Sequence, residues 1–252
     1  MSLTIVRHDS CASTSAVLAA MPEAPAGTVV VTDCQTAGRG QRGNSWEAEP
    51  GKNLTFSILL RPAGMHAARQ FELSMLVALA VADVIDSHFE DAGIAERTTV
   101  KWPNDIYVGE RKICGTLIEN KLMGAYIDRS IAGIGIDVNQ TVFTSDAPNP
   151  VSMIHFLGFE TPLEPLLEQV CGTIMERCDS YMLSSDPEGL LTAFRSRLYR
   201  GDGKAYPFCE PGGEPFEASI TDVALTGHLS LSNGRTYAFK EISFIHPAAD
   251  AR

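Results

Sequence analysis

The sequence lacks the features that would place it in a membrane, outside the cell or around a metal ion. Its 252 residues hold no uninterrupted apolar run of the ~18 to 20 residues that a membrane span needs. Residues 1–9, MSLTIVRHD, lack the basic-then-apolar layout of a secretory signal. The six cysteines form no C-x-x-C pair, which argues against zinc and, without a signal, predicts free thiols. These absences predict a cytoplasmic protein with no structural metal and no membrane partner.

Positive charge is also scarce, which bears on what the protein binds. Lysine and arginine number 20 against 31 aspartate and glutamate residues, so the net charge is -11. Nucleic-acid affinity rests on many basic side chains, and this balance therefore predicts no DNA partner. The basic residues that stand out lie in two short regions: Arg39, Arg42 and Lys52, then Lys101, Arg111 and Lys112. Such local charge favours a small anionic ligand.

The first of these regions is rich in glycine. Residues 38–46 read GRGQRGNSW, and about sixty positions later residues 101–105 read KWPND and residues 111–115 read RKICG. Glycine lets backbone N–H groups approach phosphate or carboxylate oxygens because it has no Cβ. Each region also holds one of the two tryptophans. An aromatic ring there can cover a flat ligand, although core packing is its commoner role.

Two better-known phosphate motifs do not fit the glycine-rich segment. Gly38, Gly40 and Gly43 match G-x-G-x-x-G, but no helix begins within the motif and no acidic residue follows about 20 positions later. A Walker-type loop ends in Gly-Lys-Ser/Thr, whereas this segment reads Gly43-Asn44-Ser45 and lacks the lysine. We therefore reject the dinucleotide and Walker interpretations.

Several motifs in a fixed order make the chain resemble the biotin protein ligases over nearly its whole length. The resemblance implies an enzyme that makes biotinyl-5′-AMP from biotin and ATP and transfers biotin to a lysine of a biotin carboxyl carrier protein. The matching segments are STS at 13–15, DCQTAGRG at 33–40 running on to Trp46, GKNLTFS at 51–57, KWPND at 101–105, RKICG at 111–115 and GIGIDVN at 133–139.

The resemblance also implies an α+β fold in two parts. A catalytic domain over residues 1–198 would have the mixed β-sheet with packed helices of class II synthetases and lipoate ligases. A small SH3-like β-barrel would occupy residues 199–252. The sequence pattern independently changes near residue 199, from helical periodicity to short strands with frequent turns.

Local signals predict individual elements. Residues 28–32 and 54–60 read as strands, and residues 67–88 as a helix that is apolar all round over 75–82. Thr161, Pro162 and Glu164 together predict a capping box at the start of the next long helix. Short strands at 99–102 and 105–108 are followed by a hairpin turn at 109–110. Asn233-Gly234 predicts a two-residue hairpin with positive φ at both positions.

The resemblance assigns residues to the chemistry. Lys112 would bridge the biotin carboxylate and the α-phosphate, Arg39 and Arg42 would hold the same region, and Mg²⁺ would screen the triphosphate. Asp105 would orient the acceptor lysine and take its proton. Biotin-binding positions are Ser13, Thr14, Ser15, Gln35, Gly38, Arg39, Gly40, Gln41, Lys112 and Gly115, and nucleotide-binding positions are Arg39, Arg42, Asn44, Trp46, Lys112 and Asn139.

Simpler roles stand beside these assignments. Residues 13–15 also suit a helix N-cap, Asn139 a turn at a strand end, and Asp105 a turn residue after Pro103. Gln41 and Asn44 stand where relatives often have arginine, so the sequence leaves undecided how tightly the adenylate is retained before transfer. About a dozen residues precede Ser13, so no N-terminal helix-turn-helix domain is expected.

Two other functions remain open on the sequence alone. A lipoate or octanoate ligase shares the fold and the lysine chemistry, but those proteins resemble the glycine-rich and KWPND segments less well. A non-catalytic biotin-binding regulator is the third hypothesis, and the presence of Lys112 argues against it. The acceptor protein is undecided, and so is the choice between a monomer and the homodimer that many family members form.

Overall fold

A seven-stranded mixed sheet forms the centre of the computed structural model, which describes residues 3–38, 40, 46–145 and 149–246. The strand order is β1-β2-β3-β7-β6-β5-β4; β1 and β2 are parallel, and every other pair is antiparallel. The strands are β1 (Thr4–Cys11), β2 (Thr28–Gln35), β3 (Leu54–Leu60), β4 (Thr98–Lys101), β5 (Asp105–Val108), β6 (Arg111–Met123) and β7 (Tyr126–Ile136). The strands predicted at 54–60, 99–102 and 105–108 and the turn at 109–110 are confirmed within a residue or two.

Helices pack on both faces of this sheet. They are α1 (Thr14–Ala19), α2 (Gln70–Asp91), α3 (Ile154–Leu157), α4 (Leu163–Ser184) and α5 (Pro187–Ser196). Helix α1 lies on one face, and α2 and α4 lie on the other. Helix α2 packs against α4 and α5, and residues 75–82 are fully buried, as their continuous apolarity predicts. A 3-10 turn at Ala67–Arg69 precedes α2, so the helix begins three residues later than predicted. Among the described residues, no helix combines the length and the apolarity of a membrane span.

The predicted capping box at α4 is wrong. Pro162 is the N-cap residue, and no side chain caps the helix. The backbone of Thr161 is instead held by Asn139, which accepts from the Thr161 N–H at 2.8 Å and donates to its carbonyl at 2.9 Å. Glu164 pairs with Arg7 on β1. The Thr161 N–H and the Glu164 carboxylate, which a capping box would pair with each other, therefore bond to residues distant in sequence.

The C-terminal part forms two small antiparallel sheets, β10-β11-β12 and β13-β8-β9. The predicted α+β class is confirmed, although the two sheets are not hydrogen-bonded into a closed barrel within the described residues. Their strands are β8 (Tyr206–Cys209), β9 (Phe216–Ala218), β10 (Ile220–Val223), β11 (Leu229–Leu231), β12 (Thr236–Tyr237) and β13 (Ser243–Phe244).

The hairpin between β11 and β12 is present, but its turn is not the predicted two-residue type. Gly234 has positive φ and Asn233 does not. The amide of Asn233 accepts from the Arg235 N–H at 2.9 Å and donates to the Tyr237 hydroxyl at 2.8 Å. These bonds stabilise a longer loop, and the strand pairing ends at Ser230 and Thr236.

A buried histidine joins the C-terminal part to the large sheet. The Lys101 ammonium can only donate, and it lies 3.0 Å from His246 Nε2, so that nitrogen accepts and the imidazole is neutral. Burial lowers the pKa of His246 to about 4, with further lowering by Lys101 and Arg200 and an opposing effect from Glu110.

We expect this histidine to make the protein less stable in mild acid. The folded pKa of about 4 lies below the ordinary histidine pKa of 6.5, so the unfolded chain takes up a proton first as the pH falls. Stability is therefore full above pH 6.5 and declines towards pH 4, by roughly 3 kcal/mol at ~1.4 kcal/mol per pKa unit. Denaturant titrations of wild type and His246→Gln across this range would measure it. His228→Gln, at an exposed histidine, is the control, and equal slopes for all three proteins would contradict the prediction.

Candidate functional site

Three glycines form the floor of a pocket on one face of the sheet. Gly115 on β6 lies opposite Gly135 on β7, and Gly133 lies two residues before Gly135 on the same strand face. A Cβ on Gly135 would lie 2.4 Å from Cε2 of the Trp46 indole, and one on Gly133 would lie 2.8 Å from the Ser15 hydroxyl. The absence of side chains at these positions is what lets Trp46 and Ser15 lie directly on the backbone.

The pocket above this floor has about 540 Å³ of space, counting its open mouth. Its walls come from the start of α1, the ends of β2 and β3, the β4–β5 turn and the middle of β6 and β7. The lining residues are Ser13, Thr14, Ser15, Gln35, Gly40, Trp46, Thr55, Phe56, Asp105, Lys112, Gly115, Thr116, Leu117, Gly133, Ile134 and Gly135. Elements that are distant in sequence therefore converge on one cavity.

Part of the wall consists of uncharged hydrogen-bonding groups. Ser13 is the N-cap residue of α1, but its side chain makes no capping bond, so the capping role proposed for 13–15 does not use that hydroxyl. The Thr14 N–H donates to Gln35 Oε1 at 2.8 Å, and the Thr14 hydroxyl donates to the same oxygen at 3.3 Å. These bonds fix the side-chain amide of Gln35 in the pocket wall.

The charged part of the pocket is an ion pair. Lys112 Nζ lies 2.7 Å from Asp105 Oδ2, and their side chains are 29% and 18% exposed. The Lys112 backbone N–H donates to the Asn149 carbonyl at 2.8 Å, and the Val151 N–H donates to the Lys112 carbonyl at 2.9 Å. These backbone bonds hold the strand in place at Lys112, and the ammonium extends into the cavity.

The two carboxylate oxygens of Asp105 differ in their hydrogen bonding. Its Oδ1 is buried and has no hydrogen-bond partner among the described residues, whereas Oδ2 is taken by Lys112. A buried acceptor without a donor is costly, and such atoms in a cavity mark places where a ligand completes the bonding. The carboxylate can therefore hold Lys112 and accept from a second donor at once.

Trp46 lies over the glycine floor and is anchored by the residue after it. Its ring centroid is 5.7 Å from Lys112 Nζ, and its buried Nε1 has no partner within the described part of the chain. Burial tends to raise the pKa of Glu47, but hydrogen bonds from Ser145 and Thr144 outweigh it and lower the pKa to about 2. The ionised Glu47 accepts hydrogen bonds from residues 144–145, and these bonds keep the neighbouring indole of Trp46 near the pocket.

Asn139 does not line the pocket, although the resemblance implied a nucleotide contact there. It is buried, and both ends of its amide bond to the Thr161 backbone, which fits the simpler role at a strand end. Asp137, two residues earlier, has a buried Oδ1 without a partner among the described residues. Burial raises the pKa of Asp137 well above its usual range, and the charge of Lys112 opposes this.

The structure brings together most of the implied site. Ser13, Thr14, Ser15, Gln35 and Gly40 line the pocket with Trp46, Asp105, Lys112 and Gly115. Gly38 adjoins it, because a Cβ there would lie 3.0 Å from Gln35 Nε2. Arg39, Gln41, Arg42 and Asn44 lie outside the described residues, so their assigned roles stay predictions.

Sequence reasoning missed two features of the site. Gly133 and Gly135 appeared only as part of a motif, yet they form the floor. Ser57 was not singled out, although it is fully buried and bonds to both Thr14 and Ser15. A signal was available, since Thr55 and Ser57 are the only polar residues in the strand LTFSILL and share one face.

The arrangement suits joining two ligands of different character. Uncharged donors and acceptors suit the polar head of an otherwise apolar molecule, while the lysine can neutralise an anion beside it. Within the described residues, no three histidine, cysteine, aspartate or glutamate side chains cluster as metal ligands would. Any cation would therefore be held mainly by a ligand's own oxygens, as Mg²⁺ often is by phosphates.

Comparison with known proteins gives a consistent result. A family model described as the biotin/lipoate A/B protein ligase family matches residues 10–137, the stretch that contains the whole pocket. The bifunctional ligase/repressor BirA of Bacillus subtilis (strain 168) is 39% identical over 138 residues, which are 54% of this chain and 41% of that protein. The chain thus spans about two fifths of that relative's length.

Longer matches are less identical. The biotin--[acetyl-CoA-carboxylase] ligase of Mycobacterium tuberculosis (strain ATCC 25618 / H37Rv) is 26% identical over 224 residues, 87% of this chain and 79% of that protein. The structure of biotin protein ligase from Aquifex aeolicus in complex with biotin and ATP matches with a TM-score of 0.77 at 24% identity. The match covers 96% of this chain and 99% of that one. At that identity the structural likeness shows the shared fold.

Proposed function

This chain belongs to the biotin/lipoate A/B protein ligase family, and from that premise we propose that it activates biotin with ATP as biotinyl-5′-AMP. The biotin then passes to a lysine of a biotin carboxyl carrier protein. The pocket wall of Ser13, Thr14, Ser15 and Gln35 is the observation that carries the choice of biotin. The ureido ring of biotin can pair with these groups, whereas the dithiolane of lipoate or the chain of octanoate would leave them unpaired. Such sites discriminate strongly against analogues that lack the polar group.

Activation brings two anions together, and Lys112 is placed to suppress their repulsion. Its ammonium lies in the pocket and is oriented by Asp105 at 2.7 Å. A preorganised cation of this kind stabilises charge that develops on the transferring phosphoryl group, without reorganising solvent. Arg39 and Arg42 are proposed to hold the same phosphates. Mg²⁺ bound to ATP would screen the triphosphate and would be held mainly by the phosphate oxygens.

Trp46 is proposed to cover the nucleotide. Its indole lies on the Gly115–Gly135 floor beside Lys112, so a planar base that enters there meets an aromatic face. Covering the site also keeps water from the mixed anhydride. A location in the cytoplasm, where the carrier protein and free thiols occur, is part of this proposal.

The test of the function is ATP–pyrophosphate exchange with the purified protein and each of three acids: biotin, lipoate and octanoate. Exchange that depends on biotin alone is expected. Exchange with lipoate or octanoate instead would overturn the choice of substrate. No exchange with any of the three would favour a non-catalytic binding protein.

Asp105 is expected to matter for transfer more than for activation. In Asp105→Asn the remaining amide oxygen still accepts from Lys112, so adenylate formation should fall only a few-fold. Transfer should slow about 10²-fold, because the acceptor lysine loses the group that orients its ammonium and takes its proton. The measurement is single-turnover transfer of labelled biotin from preformed adenylate to the carrier protein.

The control for Asp105→Asn is a nucleophile that needs no base. Hydroxylamine should intercept the adenylate of the variant as fast as that of the wild type. If activation and transfer fell by the same factor, Asp105 would serve Lys112 alone and the transfer role would be wrong.

A further inference from the structure

Four side chains form a continuous hydrogen-bonded chain in the wall of the pocket. Ser57 on β3 lies 2.9 Å from the Ser15 hydroxyl and 2.8 Å from the Thr14 hydroxyl, measured between oxygens. The Thr14 hydroxyl lies 3.3 Å from Gln35 Oε1. Ser57 is fully buried, so these two hydroxyls are its bonding environment and water does not compete for it.

One backbone group sets the direction of every bond in this chain. The Thr14 N–H can only donate, so the Gln35 atom that it meets at 2.8 Å is the carbonyl oxygen. We assign the single proton of the Thr14 hydroxyl to that same oxygen, because this arrangement uses all three contacts of the chain, whereas donation to Ser57 would leave the 3.3 Å contact without a proton. Ser57 therefore donates to Thr14, and Ser15 donates to Ser57.

This direction decides what the pocket offers a ligand. The proton of Ser15 is committed to Ser57, so its oxygen faces the cavity as an acceptor. The carbonyl of Gln35 is committed to Thr14, so its Nε2 faces outward as a donor, beside Gly38. A donor and an acceptor in the lining of one pocket suit a cyclic urea, whose carbonyl accepts from Nε2 and whose N–H donates to Ser15.

We propose that Ser57 is a positioning residue that fixes the polarity of the pocket wall and thereby selects a ureido head group; this inference rests on the proposed function. Ser57 does not line the cavity, and it acts through Thr14 and Ser15. Without its hydroxyl, the proton of Ser15 loses its acceptor and is free to rotate, so the acceptor at Ser15 is present only part of the time.

Gly133 supplies the space that the chain needs. It pairs with Ser57 in the register of β3 and β7, and a Cβ on it would lie 2.8 Å from the Ser15 hydroxyl. The glycine therefore allows Ser15 to approach Ser57 over the sheet. This gives Gly133 a role in the same recognition, separate from the floor beneath Trp46.

The test is biotin binding by Ser57→Ala, measured by titration calorimetry. We expect the Kd for biotin to rise about tenfold, as for one well-ordered hydrogen bond, while kcat of exchange at saturating biotin changes less than twofold. Ser130→Ala is the matched control: Ser130 is a fully buried serine on β7 whose hydroxyl has no partner among the described residues. A Kd for Ser57→Ala equal to that of Ser130→Ala would overturn the proposal.

A second variant tests the polarity itself and does not depend on Ser57→Ala folding. Gln35→Glu turns the outward donor into an acceptor and leaves the inner oxygen to accept from Thr14. Wild type should prefer biotin to protonated 2-iminobiotin, whose guanidinium replaces the carbonyl, by about tenfold or more. Gln35→Glu should reverse that preference, and an unchanged preference would contradict the inferred direction.

The experiments distinguish a wrong function from a wrong role for Ser57. If wild type shows no biotin-dependent exchange, the proposed function is wrong. If wild type is active with biotin but neither variant changes its affinity or preference, the function stands and the role of Ser57 is wrong.

Discussion

Lys112→Ala is expected to slow biotin-dependent ATP–pyrophosphate exchange at least ~10²-fold. The substitution removes the ammonium that lies in the pocket and leaves the carboxylate of Asp105, 2.7 Å away, without its partner. Two approaching anions would then meet a negative group where wild type presents a cation. The loss should appear mainly in kcat, because the charge that the lysine offsets is greatest in the transition state.

Three comparisons separate charge, geometry and repulsion at this position. Lys52→Ala removes the same charge from an exposed pair with Glu160 and should leave exchange within about twofold. Lys112→Arg keeps the charge but not the point geometry of the ammonium, so only part of the rate should return. Adding Asp105→Asn to Lys112→Ala should recover some activity if repulsion by the stranded carboxylate contributes. A Lys112→Ala rate near wild type would remove the lysine from the mechanism.

Gly135→Ala is expected to raise the KM for ATP about tenfold or more. The new Cβ would lie 2.4 to 2.7 Å from three atoms of the Trp46 indole, closer than any real contact, so the ring must leave the floor. Overpacking of this kind forces displaced side chains, and here the displaced ring is the proposed cover of the base. Gly135→Val should enlarge the loss, because its extra methyl groups occupy the space above the floor.

Control measurements distinguish a blocked site from a damaged fold. Gly172→Ala on α4 adds a methyl group with no atom within 4 Å, so it should leave KM unchanged and raise thermal stability slightly, because alanine is favoured over glycine in a helix interior. Gly135→Ala should unfold at nearly the wild-type temperature, since the clash is with a pocket side chain. If its KM for ATP matched wild type, Trp46 would not lie on this floor when the nucleotide binds.

Much of the fold follows from local pattern, and the exceptions have particular causes. The apolar run at 75–82 and the β-branched runs of β2 and β3 specify their elements strongly. The capping of α4 was mistaken because Asn139, 22 positions away from Thr161, accepts from the Thr161 N–H, the group that Glu164 would have bonded in a capping box. The turn at Asn233 was mistaken because its amide reaches Tyr237. At α4 a bond between residues distant in sequence outweighs the short-range preference, and at the turn a side-chain bond four positions along the chain does so.

The site shows the same division. Lys112, Asp105, Trp46 and the 13–15 segment carry recognisable chemistry, and the structure brings them to one pocket. Ser57 shows no recognisable chemistry in the sequence, because the role of a serine in a buried strand depends on the residues that contact it in the fold. Its partners at 14 and 15 are 43 and 42 positions away, a relation fixed by the way α1 packs across β3.

The pairing of β3 with β7 is the step that completes the pocket. Its partners are 70 to 82 positions apart, from Leu60 with Ser130 to Leu54 with Ile136, so the chain must close a long loop before the pairing forms. Such closure is entropically costly and comes late in folding. The hydroxyl chain lies on α1, β2 and β3 and the glycine floor on β6 and β7, so this pairing is what brings the two together in one pocket. A ligand that binds this pocket would then stabilise only the completed fold, which would link the lifetime of the protein to the supply of that ligand.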